Sequence, residues 1–152
     1  MRKWEFAMDI SEFMSIVSEV KENKPILFGL ESDKAASDNE IEQIEEYYGV
    51  ELPKRYKEFL KEFGGGYFGY IVVYSCDRNS RFYLGNNVLK EWIDTYNFFP
   101  VMDFETGDLC GFKIYDNKCR EYMCMFDHEE KQVREENEYD FFQTLAKYGF
   151  KL

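Results

Sequence analysis

The stretch Gly49–Gly66, GVELPKRYKEFLKEFGGG, contains the strongest local structural signals in the chain. Its apolar side chains follow the i, i+3, i+4, i+7 spacing that forms one buried stripe on a helix: Tyr56, Phe59, Leu60 and Phe63. Pro53 suits the first helical turn, where its missing N–H costs nothing, and Gly64 suits a left-handed C-terminal cap. The stretch therefore predicts a helix with a defined start, buried face and end.

The residues on either side predict that this helix packs onto a sheet. Gly65-Gly66 allow a sharp turn into Tyr67–Ser75, an aromatic and β-branched run that is typical of a strand. On the other side, Ser37 and Glu40 form a capping-box pattern before a short acidic helix that should end at Gly49. Two helices and a strand are thus expected around one glycine turn.

Two further helices are expected outside this region. Apolar spacing predicts an N-terminal helix over Ile10–Glu22, capped by Asp9, and then a short run, Ile26–Leu30, that is either a strand or a packed connection. Arg81–Leu84 suits an extended segment, and Gly85-Asn86-Asn87 suits the cap of a helix whose partly aromatic face lies on the sheet.

Alternating side chains predict antiparallel strands in the C-terminal half. Phe98–Phe104 and Leu109–Tyr115 flank the turn residues Glu105–Asp108, which indicates a hairpin. A third antiparallel strand is expected over Tyr122–Phe126, and a short edge strand over Gln132–Arg134.

The final helix completes the expected fold. Asn137 is the predicted cap of a helix that ends at Gly149 with its aromatic residues inward. We therefore predict one α+β domain over residues 1–152, with helices packed on a mainly antiparallel sheet, in which residues 1–36 supply the N-terminal helix and a connection.

Composition indicates an acidic globular protein. A chain of 152 residues fits one domain, which at this size buries roughly 70% of the surface that its unfolded chain exposes. With 19 Lys and Arg against 30 Asp and Glu, the net charge of −11 disfavours nucleic acids and anionic lipid surfaces and favours a basic protein as partner. The alternative is that the negative charge serves only to keep the protein soluble.

The sequence contains no recognisable targeting or membrane signal. Its N-terminus, MRKWEFAMDISEF, has no uninterrupted apolar core of a signal peptide, and no apolar run is long enough to cross a bilayer. We therefore expect a cytoplasmic protein.

The cysteines are expected to be buried, reduced thiols. Cys76, Cys110, Cys119 and Cys124 include no C-x-x-C pair, and the single His128 cannot complete a Cys/His zinc set of usual spacing. No metal site and no cofactor are expected.

Two acidic segments form the candidate partner-binding site, because a packed core does not require these side chains to be acidic. The residues are Asp103, Glu105, Asp108, Asp127, His128, Glu129 and Glu130. If neighbouring strands bring both segments to one end of the sheet, they form a negative patch of the kind that steers a basic partner. The alternative is an ordinary solvated rim.

Other chemistry fits these residues less well. A calcium loop counted from Asp103 requires Gly at its sixth position and Glu at its twelfth, where the chain has Asp108 and Ile114. Carboxylates, or His128 beside them, suit acid–base catalysis, but no nucleophile is paired with them. The triple glycine Gly64–Gly66 lacks the G-x-x-x-x-G-K-[ST] order of a phosphate loop.

Taken together, the segments resemble the SUKH superfamily, which includes yeast cell-wall assembly regulators and many bacterial immunity proteins of polymorphic toxin systems. Leu52-Pro53 through Phe59-Leu60 is similar to the family's LP-x-x-Y-x-x-F-L core, and Gly64–Gly66 with Phe68-Gly69 resembles its glycine turn. Further similar segments are the helix Ile41–Gly49, the strand and turn Phe98–Asp108, the loop Phe126–Glu130 and the last helix with Phe141-Phe142 and Leu145.

The resemblance implies a SUKH-like domain and a function in protein binding. It implies a non-enzymatic immunity protein that binds a cognate bacterial toxin, expected to be a basic nuclease, and occludes its active site. A regulatory protein-interaction adaptor of the same superfamily is the alternative. An enzyme acting through Asp103, Asp108 and His128 ranks last, because no residue pattern assigns a substrate.

Overall fold

An antiparallel sheet runs through the middle of the protein, which a computed structural model describes over residues 6–152. Residues 1–5 of the predicted domain lie outside the described residues. Within the described part, seven strands have the order β1-β2-β3-β4-β6-β7, with β5 paired to β4, and all these pairings are antiparallel. The strands are β1 Gly66–Phe68, β2 Ile71–Val73, β3 Phe98–Asp103, β4 Leu109–Tyr115, β5 Lys118–Cys119, β6 Cys124–Asp127 and β7 Gln132–Val133.

Helices pack on both faces of the sheet, so the predicted α+β class is confirmed. The described α-helices are α1 Ile10–Asn23, α2 Asp38–Tyr48, α3 Lys54–Phe63, α4 Lys90–Tyr96 and α5 Phe141–Gly149. The predicted caps of the first two are present: Asp9 accepts from the Glu12 N–H at 2.8 Å, and Ser37 and Glu40 form a reciprocal capping box.

The main core lies between the sheet and the helices α1, α3 and α5. In the predicted stripe of α3, Tyr56, Phe59 and Leu60 are buried and Phe63 is partly buried. The Phe59 ring lies 5.1 Å from Phe68 of β1 and 5.2 Å from Phe141 of α5. From α1, Phe13 stacks on Phe142 at 4.7 Å. The helix of the Gly49–Gly66 stretch is therefore in contact with both the sheet and the last helix.

A smaller cluster lies on the opposite face of the sheet. Phe98 and Phe126 belong to this cluster, whereas their neighbours in the strands face the main core, as strand alternation requires. From α4, the rings of Trp92 and Tyr96 lie 4.7 Å and 4.9 Å from Phe126. The predicted aromatic contact of this helix with the sheet is confirmed.

The prediction of one continuous strand over Tyr67–Ser75 is wrong. The segment is a hairpin, β1 and β2, that turns at Gly69 and Tyr70. Gly69 has a φ of +62°, and a Cβ there would lie 2.1 Å from the carbonyl oxygen of Gly149. The Tyr70 N–H donates to that same oxygen at 2.9 Å. The turn at Gly69 and Tyr70 therefore allows the hairpin to contact the carbonyl oxygen at the end of α5.

The start of the last helix was also predicted wrongly. Its cap is Asp140, which forms a capping box with Gln143, while the Asn137 side chain accepts from the Tyr139 N–H in the turn before the helix. Both residues suit a cap by type, but only Asp140 is followed three residues later by a glutamine, the spacing of a capping box.

Three smaller differences concern turns. Of the two alternatives for Ile26–Leu30, the strand is wrong, because Pro25–Phe28 form a 3₁₀ helix in the connection that follows α1. Gly85-Asn86-Asn87 precedes α4 by a further turn, with both asparagines at positive φ. Pro53 is the N-cap of α3 and lies just before its first turn, and Gly64 has positive φ but a ψ of −55°, outside the left-handed helical region.

Asp140 connects three segments as a buried carboxylate that is only 1% exposed. Its Oδ2 accepts from the Met8 N–H at 2.8 Å and lies 3.5 Å from Nε of Arg55, which also donates to the Met8 carbonyl at 2.7 Å. Its Oδ1 accepts from the Gln143 N–H at 2.9 Å. The carboxylate therefore holds the segment before α1, α3 and the start of α5 together.

Replacing Asp140 should destabilise the fold more than replacing an exposed cap. Asp140→Ala removes the cap of α5 and leaves the buried Met8 N–H without an acceptor, and should lower the free energy of unfolding by on the order of 2–4 kcal/mol. Asp9→Ala removes the exposed cap of α1 and should cost about 1 kcal/mol. Equilibrium urea unfolding measures both values, and equal losses would contradict the connecting role of Asp140.

Candidate functional site

Strand register brings the two acidic turns to the same end of the sheet. Leu109 of β4 pairs with Asp103 of β3 on one side and with Phe126 of β6 on the other, and Asp127 pairs with Gln132 of β7. The β3–β4 turn and the β6–β7 turn therefore leave the sheet side by side. We call this surface the acidic end, and its predicted residues are Asp103, Glu105, Asp108, Asp127, His128, Glu129 and Glu130.

A direct contact joins the two turns. Nδ1 of His128 lies 2.7 Å from Oδ1 of Asp108, and both side chains are exposed by more than a third. The imidazole ring also lies over Gly107, where a Cβ would come within 3.1 Å of it. Gly107 has a φ of +101°, so glycine suits both the backbone turn and the close approach of the ring.

Two of the aspartates shape the turns themselves. Oδ1 of Asp103 accepts from the Glu105 N–H at 2.7 Å, and Oδ1 of Asp127 accepts from the Glu129 and Glu130 N–H groups at 2.9 Å and 3.2 Å. Such bonds are typical of Asx turns, in which a side chain takes the place of a backbone acceptor. Acidic residues at these two positions therefore have a local structural role.

The charges of the acidic end influence one another. A hydrogen bond to Asp108 raises the pKa of His128, and the charges of Asp108, Glu129 and Asp127 add to this rise. Backbone hydrogen bonds from Glu130 and Glu129 and the side chain of Arg134 lower the pKa of Asp127. The lowered pKa keeps Asp127 ionised at neutral pH, and Arg134, together with His128 when it is protonated, places positive charge beside it.

The glutamates provide the charge that is free to meet a partner. Glu105, Glu129 and Glu130 are exposed, and within the described residues the carboxylates of Glu105 and Glu129 make no hydrogen bond or ion pair. Oε2 of Glu130 accepts from the Gln132 side chain at 2.7 Å. Beside these residues is a shallow depression of about 260 Å³, lined by Asp108, Met125, Phe126, Asp127, His128, Glu129 and Arg134.

The geometry offers little for covalent or metal chemistry. All four cysteines are buried and unpaired, as predicted, and burial raises the pKa of the Cys76 and Cys124 thiols to about 12. None of them is therefore an available thiolate beside His128. Among residues 6–152, no group of three or more His, Cys, Asp and Glu side chains is arranged to hold a metal ion.

Two residues of this surface were missed at the sequence level. Arg134 contacts Oδ2 of Asp127 through NH2, and the hydroxyl of Tyr74 donates to Oδ2 of Asp103 at 3.4 Å. Asp127 and Arg134 carry opposite charges on the two sides of a predicted turn, and this sequence pattern indicates their contact. No sequence signal indicates the Tyr74 contact, because it depends on the pairing of β2 with β3.

The His128–Asp108 pair should be visible in a titration of the only histidine in the chain. We expect a pKa above the ordinary value of about 6.5, because the hydrogen bond favours the protonated ring. The pair then adds stability that is fully present below about pH 6.5 and is lost as the pH rises through the folded-state pKa.

NMR of the imidazole ring measures this pKa directly. Asp108→Asn should return the pKa of His128 toward its ordinary value, since it removes the largest cause of the shift. Glu129→Gln keeps the hydrogen bond and should lower the pKa less. An unchanged pKa in Asp108→Asn would disprove the assigned contact.

Comparison with known proteins identifies the family. The family model SUKH_6, described as SMI1-KNR4 cell-wall, matches residues 38–143. No curated protein matches the sequence. Within the described residues, no helix is long and apolar enough to cross a membrane. The family match runs from the start of α2 into α5 and includes the Gly49–Gly66 stretch and both acidic turns. Since this is well over half of its length, the chain belongs to the SUKH superfamily.

Proposed function

We propose that this protein is a non-enzymatic immunity protein that binds a cognate bacterial toxin and occludes its active site. The observation that carries the proposal is the acidic end, where two turns place their carboxylates side by side. The toxin expected from this chemistry is a basic nuclease, because a nuclease cleft must carry positive charge to hold phosphates. Neither metal nor cofactor has a part in this function.

Charge supports the proposal in two ways. The net charge of −11 draws a basic protein toward the chain from a distance, and the exposed glutamates of the acidic end give that attraction a direction. Complementary charge mainly raises the association rate and excludes partners of the same sign. For an immunity protein a high association rate matters, because the toxin must be bound before it reaches its substrate.

The size of a stable interface requires more than the two turns. A specific complex buries about 800 Å² on each partner, with roughly 20–30 residues a side, which is roughly a tenth of the 8602 Å² accessible surface of this chain. Apolar and aromatic side chains next to the acidic end must therefore take part. This function is proposed for the cytoplasm, where a nuclease toxin would act.

A regulatory adaptor is the second candidate function. It is favoured by the description of the matching family, SMI1-KNR4 cell-wall. An adaptor of this kind also binds proteins, so the two candidates differ in the partner and in the consequence of binding. Protection of a cell from a toxin separates them.

The proposal expects the gene of a toxin beside the gene of this chain, and co-expression of the two proteins tests it. We expect the wild-type chain to restore growth, and a triple variant Glu105→Lys, Glu129→Lys, Glu130→Lys to bind that toxin with an association rate about tenfold lower at low salt. Surface plasmon resonance at two ionic strengths measures the rate. Salt should reduce the rate of the wild type more than that of the variant.

A matched variant controls for total charge. Glu22→Lys, Glu46→Lys, Glu62→Lys changes the net charge equally at exposed positions outside the acidic end and should retain most of the association rate. Cell death despite abundant folded wild-type protein would rule out the immunity function. Equal losses in the two triple variants would show that only net charge matters.

A further inference from the structure

A second cavity, of about 160 Å³, lies between α4 and the loop that precedes it. Its lining is mostly aromatic and aliphatic: Tyr74, Arg81, Phe82, Tyr83, Val88, Leu89 and Trp92. We call it the Arg81 cavity. Val88 precedes α4 and is 56% exposed at this cavity. An exposed apolar residue beside half-buried aromatic rings leaves apolar surface accessible to a partner.

Arg81 is held in place at this cavity without a carboxylate partner. Its guanidinium carbon lies 4.7 Å from the ring centroid of Phe82 and 5.5 Å from that of Tyr67, whose hydroxyl it contacts through NH2. Within the described residues it has no carboxylate at ion-pair distance, whereas Arg55 has two and Arg134 has one. A guanidinium oriented by two rings loses little freedom when it binds a carboxylate.

The Arg81 cavity adjoins the acidic end. Tyr74 lines the cavity, and its hydroxyl donates to Oδ2 of Asp103, the first residue of the acidic end. Burial and the neighbouring Asp103 raise the pKa of Tyr74, so this hydroxyl keeps its proton. A partner bound at the acidic end therefore comes within reach of the cavity.

We propose that the Arg81 cavity receives a bulky apolar side chain of the toxin, and that a carboxylate next to that side chain in the toxin pairs with Arg81. The inference rests on the proposed immunity function and names a specificity contact for it. The volume suits one side chain, and the lining supplies aromatic contact. The positive charge of Arg81 selects a carboxylate and disfavours a lysine or arginine there. Buried aromatic and arginine side chains often contribute much of the binding free energy of an interface.

Two variants of exposed residues test this contact in the complex. Arg81→Gln removes the charge, and Val88→Asp places a carboxylate at the cavity that repels the proposed one. We expect each to weaken toxin binding about thirtyfold, mainly through faster dissociation.

Arg78→Gln is the matched control for charge, because Arg78 contacts Gln43 and does not line the cavity. Ile26→Asp is the control for the apolar position, since Ile26 is 86% exposed elsewhere. Both controls should change the affinity less than twofold.

The outcomes separate the two proposals. If the wild type does not bind or neutralise the toxin, the immunity function is overturned. If it binds and Arg81→Gln and Val88→Asp behave like their controls, the Arg81 cavity is not a contact site and only this inference is overturned.

A small probe tests the chemistry of the cavity without any toxin. N-acetyl-phenylalanine carries an aromatic ring next to a carboxylate, and its amide lacks that charge. In an NMR titration the acid should shift the indole N–H of Trp92 and the Nε–H of Arg81 in a saturable way, with an affinity at least fivefold above that of the amide. Arg81→Gln should abolish the difference. No saturable shift, or equal affinities of the acid and the amide, would overturn the assignment.

Discussion

The antiparallel pairing of β4 with β3 on one side and β6 on the other determines where the candidate site lies. Because both neighbours run opposite to β4, the turn that precedes β4 and the turn that follows β6 must leave the sheet at the same end. The register then sets Asp108 beside His128. A slip of one residue would turn the alternate side chains of β4 to the wrong face, so the two cores on either side of the sheet maintain this register.

The sequence predicts those elements whose signals are local. The capping box at Ser37, the stripe of α3 and the alternation in β3 and β4 each involve near neighbours, and the structure has these elements. The errors have two sources. The hairpin turn at Gly69 lies against the backbone of Gly149, and this distant contact leaves no trace in the local sequence pattern. For the last helix a local signal exists, because Asp140 and Gln143 have the spacing of a capping box, whereas Asn137 has no such partner three residues on.

In the candidate site, too, some features follow from local sequence and others depend on the three-dimensional structure. The sequence indicates which turns are acidic. Core packing does not require these acidic side chains, but the turns themselves require some of them. Asp103 and Asp127 accept backbone hydrogen bonds within their own turns, and Asp108 binds His128. The exposed glutamates are left as the part of the charge that the fold does not use. The Arg81 cavity could not be predicted, since Tyr74 after β2, the loop before α4 and α4 itself come together only in three dimensions.

Charge alone attracts a partner of opposite sign but does not distinguish one basic protein from another. Discrimination requires short-range features, and it is stronger when some of them oppose the wrong partner. Arg81, which has no carboxylate partner in a chain of net charge −11, is such a feature. A uniformly basic protein attracted by the acidic end would be repelled by the positive charge of Arg81. A partner that presents basic residues to the acidic end and a carboxylate to Arg81 satisfies both charges. In the proposed complex, the acidic end governs the association rate and the Arg81 cavity governs the dissociation rate.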